Sequence, residues 1–297
     1  MDIRRYFYNV GKEHVIQLLQ TTFVNSPLLY KLLFNFFTDE RVAVKSKNKN
    51  NIISYEHKGL IAGSSFSGFL SNVFLYSVDD WGEKEIQNKH GGVYARYCDD
   101  ILIGAKSQET LELFKENLLT QLEAFGLEAN PKKISYMELA EKSNVDFLGI
   151  QISYCNNKLE YDASKETIAK LKKFIKRTMK QERNRIEKKK CSADYALRKY
   201  FDCINTHIHK GFIYHSRKFG WSFYVFRCIN TIESLRLLNF YICDMARYLA
   251  TGKHNKSSIS RYPKAKLIEL GFKSLVDYYN LFRADIQLYM DCVSSEM

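Results

Sequence analysis

The chain has only three prolines in 297 residues, and no low-complexity stretch or internal repeat breaks it. Nothing therefore marks a flexible linker, and long elements can form uninterrupted. No run of 18 or more apolar residues occurs, so no membrane-spanning helix is expected. The opening Met1-Asp2-Ile3-Arg4-Arg5 lacks the long apolar run of a signal peptide. The seven cysteines are odd in number and form no C-x-x-C pair, which argues against a disulfide framework and a zinc site. A cytoplasmic protein with no membrane partner is the expectation. No HNH or other nuclease signature is present.

What the chain does have is core material and an uneven charge. Hydrophobic residues make up 45% of it and aromatics 14%, enough for a packed interior. The net charge is +12. Residues 1–150 hold 17 Lys+Arg against 19 Asp+Glu, whereas residues 151–297 hold 28 against 14. A near-neutral first half and a basic second half imply a polyanionic partner for the second.

Apolar spacing predicts a short strand over 2–9, a helix over 11–37, and a hairpin around the polar turn 45–51. A helix follows over 65–80. Two β-prone runs, Val93–Tyr97 and Ile101–Ile103, flank the acidic tip Cys98-Asp99-Asp100 and read as a hairpin. Ser107 is a candidate N-cap for the next helix, which Gly126 ends. Strands are expected near 134–137 and over 145–152. Beyond residue 160 the pattern is helical: 164–190, 193–213, 221–251 and 274–290, with a Ser-rich polar loop at 253–261. A domain boundary is placed near 155–165, giving 1–155 and 156–297. The class is α+β, a split βαβ sheet followed by an all-helical basic region.

Two adjacent carboxylates at a hairpin tip repel one another and raise each other's pKa unless a cation lies between them. A divalent ion turns that repulsion into a site, and hard oxygen ligands suit Mg²⁺. Two-ion phosphoryl transfer needs a further carboxylate from another strand. Taken alone, Asp99-Asp100 also reads as a solvated turn.

Tyr97-Cys98-Asp99-Asp100 resembles the Y-x-D-D box of reverse transcriptases, and companion boxes stand in the family's order over residues 2–150. Asp2-Ile3-Arg4-Arg5-Tyr6-Phe7 is similar to the first catalytic box. The segment from Gly59 to Asn72 is similar to the template and nucleotide box, with Ile61-Ala62 where Pro-Gln is common. Phe125 to Lys133 resembles the next box, and Phe147-Leu148-Gly149-Ile150 the primer grip. The tail from Leu267 to Tyr279 resembles C-terminal stretches of retron-like and defence-associated enzymes.

The resemblance, to the bacterial group II intron, retron and phage-defence type, implies a right-hand polymerase palm followed by a helical thumb. It implies catalysis by Asp2, Asp99 and Asp100, and metal binding by Asp2, Ile3, Asp99 and Asp100. The metal would be two Mg²⁺ ions, with Mn²⁺ as a substitute. Nucleotide contacts fall to Phe7, which would exclude a 2′-hydroxyl, and to Gly63, Ser64 and Lys132. Lys133 is a second candidate for the triphosphate. Phe147, Leu148 and Gly149 would grip the primer, and Lys172, Lys173, Lys176, Arg177 and Lys180 would hold duplex phosphates without reading sequence.

The implied partners are an RNA template, a DNA or RNA primer and dNTPs, with an associated non-coding RNA or a partner protein. In the family a fingers region precedes the first catalytic Asp; here Asp2 follows only Met1. The expectation is a palm with fingers largely absent, poor polymerisation by this polypeptide alone, and fingers supplied by an upstream segment or a partner. The competing readings are template-independent or protein-primed DNA synthesis, and a non-catalytic nucleic-acid-binding remnant.

Overall fold

The computed structural model describes residues 1–38, 59–60, 65–138, 140, 143–210, 212–214, 217–219 and 221–295. The chain forms two compact units, Met1–Tyr136 and Met137–Met297.

The first unit opens with Asp2 and Ile3 in single β-bridges, followed by helices α1 (Tyr6–Asn9), α2 (Lys12–Thr22) and α3 (Pro27–Thr38). The strand expected over 2–9 is thus two residues long, because the chain turns through left-handed Arg5 (φ 48°) into α1. The single helix expected over 11–37 breaks after Thr22, since Pro27 disfavours helical backbone at the residue before it. Next come α4 (Ser65–Phe74), α5 (Tyr76–Trp81) and a π-helical stretch, Gly82–Lys89. The hairpin expected around residues 45–51 lies outside the described residues.

Strands β1 (Val93–Tyr97) and β2 (Asp100–Gly104) form the expected antiparallel hairpin. Helix α6 (Gln108–Ala124) begins where Ser107 Oγ accepts from the Thr110 backbone N–H at 3.2 Å. Its buried stripe is Phe114, Leu118 and Leu122. It ends in a Schellman motif: Gly126 N–H donates to Glu123 O and Leu127 N–H to Leu122 O, with Gly126 at φ 67°. That turn delivers residues 128–130 alongside Asp2 and Ile3. No strand forms at 134–137, because 128–130 has already taken the free edge of Asp2-Ile3 and the chain then winds into a 3₁₀ turn, Pro131–Lys133. The core of this unit gathers Ile3, Tyr6, Val15, Leu70, Leu75, Ile101 and Leu118, among others.

The second unit starts with an antiparallel sheet of β3 (Asn144–Phe147), β4 (Ile150–Cys155) and β5 (Lys158–Ala163). What reads as one strand over 145–152 is two, with a third behind them. The sheet packs on the helices that follow, since Ile150 and Ala163 belong to their core. The break therefore falls near residue 136, ahead of the 155–165 region where charge and periodicity change.

Helix α7 (Lys165–Glu187) is capped by Ser164 and buries Ile168, Leu171, Ile175, Thr178 and Met179. Helix α8 (Ala193–Asn205) precedes a short hairpin, β6 (Phe212–Tyr214) and β7 (Arg217–Phe219), so the helix expected over 193–213 stops short of its end and the hairpin occupies the gap before the next one. Helices α9 (Trp221–Cys228), α10 (Glu233–Thr251), α11 (Lys256–Arg261), α12 (Lys264–Glu269) and α13 (Leu275–Ser295) complete the unit. The expected loop at 253–261 instead contains α11, because Asn255 Oδ1 caps it by accepting from the Ser258 N–H at 3.0 Å. No helix of the described residues is long and apolar enough to cross a membrane.

Candidate active site

Strand alternation sets which side chains can meet. Val93, Ala95 and Tyr97 share a face with their partners Gly104, Leu102 and Asp100. That face is open, with Tyr97 63% exposed. Tyr94, Arg96, Ile101 and Ile103 point the other way, toward the core. The period of two therefore places Asp100 outside and Arg96 inside.

Asp2 lies opposite Asp100. Ile3 N–H donates to Asp99 O at 2.9 Å, and Ile101 N–H to Met1 O at 2.8 Å. These bonds flank the pair, so Asp2 and Asp100 form the narrow, non-hydrogen-bonded kind of antiparallel pair. In such pairs the Cα atoms are ~4.5 Å apart and the side chains lean on one another. Like charges so placed repel. On the far side of Asp2-Ile3, Arg4 N–H donates to Glu128 O and Asn130 N–H to Asp2 O, both at 2.8 Å.

Asp2 is buried, and both carboxylate oxygens are engaged. Asn130 Nδ2 donates to Oδ1 at 3.2 Å, and Lys133 Nζ donates to Oδ2 at 2.8 Å. Asp99 stands in the turn; burial, then the Asp100 and Asp2 carboxylates, push its pKa up, while its own backbone hydrogen bond and Lys133 oppose the rise. Lys133 is held above its ordinary pKa by its bond to Asp2 first, with Asp100 and Asp99 adding to it. Three carboxylates thus share one ammonium.

That donor set suits a hard divalent cation. Among the described residues, no three His, Cys, Asp or Glu side chains stand together in ion-holding geometry. Asp2 is turned toward Asn130 and Lys133 instead, and Lys133 supplies the positive charge. Ile3 has an aliphatic side chain packed in the core, and its only ligand atom is the backbone carbonyl oxygen.

The other expected residues distribute as follows. Phe7 is half-buried in α1, its ring 5.6 Å from that of Tyr6, and its carbonyl accepts from Leu60 N–H at 2.6 Å. Gly63 and Ser64 lie outside the described residues. Lys132 is exposed beside Lys133 and bonds Asn130 Oδ1 through its backbone N–H. The residue brought to the carboxylates is Lys133.

In the second unit, Phe147 pairs with Ile150 across a two-residue turn in which Leu148 (φ 50°) and Gly149 (φ 80°) are both left-handed. A Cβ on Gly149 would meet Thr167 Oγ1 at 2.8 Å. The Gly149 carbonyl accepts from Ser164 N–H and from Thr167 Oγ1, and the Leu148 carbonyl from the Tyr224 hydroxyl. On α7, Lys173, Lys176, Arg177 and Lys180 form an exposed stripe, with Arg177 also over the Phe174 ring. Lys172 is half-buried over the Tyr241 ring, 5.4 Å from its centroid.

Three residues around the site are not evident from sequence. Asn130 orients Asp2, and the ion pair of half-exposed Asp79 with the buried Arg96 side chain lies beneath the hairpin. The available signal was Arg96 itself, a charge at a core-facing position of a strand.

No curated protein matches the chain. A solved structure of telomerase from Candida albicans, in complex with a TWJ fragment of telomeric RNA, is similar at 12% identity with a TM-score of 0.41. That similarity covers 94% of this chain and 48% of the telomerase chain, so the present chain spans about half the length of that relative. The family described as reverse transcriptase (RNA-dependent DNA polymerase) matches residues 1–152. This match takes in more than half of the sequence and every acidic residue of the site, and the chain belongs to the reverse transcriptase family.

Proposed function

We propose that this protein is an RNA-directed DNA polymerase of the bacterial group II intron, retron or phage-defence type, with residues 1–155 as palm and 156–297 as thumb. The observation that carries the reading is the narrow cross-strand pair of Asp2 and Asp100 beside Asp99, with Lys133 as the nearby cation. Asp2, Asp99 and Asp100, with the Ile3 carbonyl, would hold Mg²⁺ or substituting Mn²⁺. When bound, the ions would activate a primer 3′-hydroxyl and neutralise charge on the departing pyrophosphate.

The chain's own groups take the remaining tasks. Lys133, freed from Asp2, offers its ammonium to the triphosphate of an incoming dNTP. Phe7, fixed by the Leu60–Phe7 backbone bond, closes the space a ribose 2′-hydroxyl would need; Gly63 and Ser64 belong to the same nucleotide-contact box. The left-handed turn at Leu148-Gly149 supports the primer strand with Phe147. Lys173, Lys176, Arg177 and Lys180, with Lys172 beside them, contact phosphates of the RNA template and its primer without selecting sequence. A structured non-coding RNA or a partner protein fits the same basic surface.

The test is incorporation of a single labelled dNMP onto a primer annealed to RNA, comparing the wild-type chain in its full reading frame with Asp99→Asn. Mg²⁺-dependent product that disappears in the variant supports the reading. Equal product from both, or none from either, removes it.

A further inference from the structure

We propose that Asp79 and Arg96 form a clamp that positions the Cys98-Asp99-Asp100 turn for metal binding; the proposal rests on the metal-site reading above. Arg96 occupies a core-facing position of β1, where an apolar residue would pack at lower desolvation cost. Its side chain is only 3% exposed. Such a residue must be satisfied in full, and this one nearly is. Nε donates to Asp79 Oδ1 at 2.7 Å, and Nη2 bonds Asp79 Oδ2, giving a two-pronged pair. Nη1 donates to Cys98 O at 3.1 Å, and Nη2 also donates to Asn72 O at 3.1 Å. Four of the five N–H groups that a guanidinium carries are in use. The Tyr94 hydroxyl, on the same face of β1, donates to Asp79 Oδ1 at 2.9 Å.

Two of these contacts bear on the site. The Cys98 carbonyl belongs to the peptide that enters Asp99, so fixing it fixes the plane from which Asp99 projects. Cys98 is a non-glycine residue at φ 54°, a conformation that surrounding structure must impose. The Asn72 carbonyl lies in the last turn of α4, where helical carbonyls lack intrahelical partners. The neighbouring carbonyl, Ser71 O, accepts from the Tyr6 hydroxyl at 2.5 Å. Tyr6 follows Asp2 by four residues. Consecutive carbonyls at the end of one helix thus hold both halves of the site: Ser71 through Tyr6 for the Asp2 segment, and Asn72 through Arg96 for the Asp99-Asp100 turn. Neither Asp79 nor Arg96 is assigned any contact with substrate; they act as positioning residues.

The test is calorimetric titration of Mg²⁺ into the nucleotide-free full chain, alongside thermal unfolding. Arg96→Lys keeps the charge but cannot grip Asp79 with two prongs and reach the Cys98 carbonyl as well. Asp79→Asn keeps an oxygen acceptor but loses the ion pair. Outer-shell changes of this kind cost ~10–100-fold in metal affinity, and that loss is expected for either variant in its folded state. A purely structural pair would lower the unfolding temperature and leave Mg²⁺ affinity of the folded protein at the wild-type value, which overturns the proposal. If neither variant folds, Tyr94→Phe decides, because it removes one bond and no charge. A severalfold weaker Mg²⁺ affinity supports the clamp, and none overturns it. Wild-type protein that binds no Mg²⁺ sinks the metal-site reading itself and the clamp with it. Wild-type binding matched by Arg96→Lys sinks the clamp alone.

Discussion

Lys133→Met tests the charge balance of the site most sharply. Asp2 and Asp100 face each other as a narrow pair, an arrangement in which like charges destabilise the sheet. Lys133 offsets part of that from 2.8 Å, but its side chain is 61% exposed, so its contribution is that of a solvated pair, ~1 kcal/mol. Methionine keeps the length and removes the charge. In chelator, the variant should unfold ~3 °C below wild type. With saturating Mg²⁺ the gap should close, because the ion takes over the neutralising role. Mg²⁺ no longer has to displace an ammonium, so its affinity for the nucleotide-free protein should rise ~5-fold, the equivalent of ~1 kcal/mol. Catalysis should fall, since the same ammonium is the one proposed to meet the triphosphate. Thermal unfolding by intrinsic fluorescence, with and without Mg²⁺, reads the first two effects. Equal unfolding temperatures in chelator, or a loss that persists in Mg²⁺, would refute the reasoning.

Further outcomes follow from other parts of the structure. Asp99→Asn should raise the unfolding temperature in chelator while abolishing nucleotide incorporation, because burial and the neighbouring carboxylates disfavour the charged form. The sign is definite: the folded state keeps the Asp99 proton to higher pH than the unfolded chain does, so metal-free stability declines as pH rises from 3.8 through the raised pKa. Denaturation across that window should show the slope in wild type and a reduced one in the variant. Gly149→Ala should cost ~1–2 kcal/mol in urea unfolding, since alanine at φ 80° is strained and its Cβ meets Thr167 Oγ1. Replacing Lys173, Lys176, Arg177 and Lys180 by alanine should weaken binding of an RNA–DNA duplex whatever its sequence. The slope of log affinity against log salt should become shallower by ~1 for each phosphate that is no longer neutralised.

The sequence made some features plain for local reasons. Two β-prone runs around a short acidic tip can hardly form anything but a hairpin, and Ser107 and Gly126 bracket α6 by cap chemistry alone. The apolar stripe of α7 and the basic face opposite it follow from helical spacing. Other features depend on distant partners. Lys132 and Lys133 are equivalent as sequence, and only the 3₁₀ turn after Asn130 decides which one reaches Asp2. Asp2 and Ile3 become a strand because β2 lies on one side and residues 128–130 on the other, pairings made across about a hundred residues of chain. The three-stranded sheet at 144–163 goes with the helices behind it because Ile150 and Ala163 face their core, which composition does not reveal. Asp79 and Arg96, in α5 and β1, have no common motif; their relation exists only once the hairpin lies over the end of α4.

On the reading proposed above, Asp2, Asp99 and Asp100 together take up divalent metal in place of the Lys133 ammonium. Electron paramagnetic resonance of Mn²⁺ tests it directly, by counting free ion during titration into wild type, Asp2→Asn and Asp100→Asn with dNTP and primer–template present. Protein-bound Mn²⁺ is expected in wild type, and its loss in both variants. Wild-type protein that leaves all Mn²⁺ free, or variants that bind as wild type does, would contradict it.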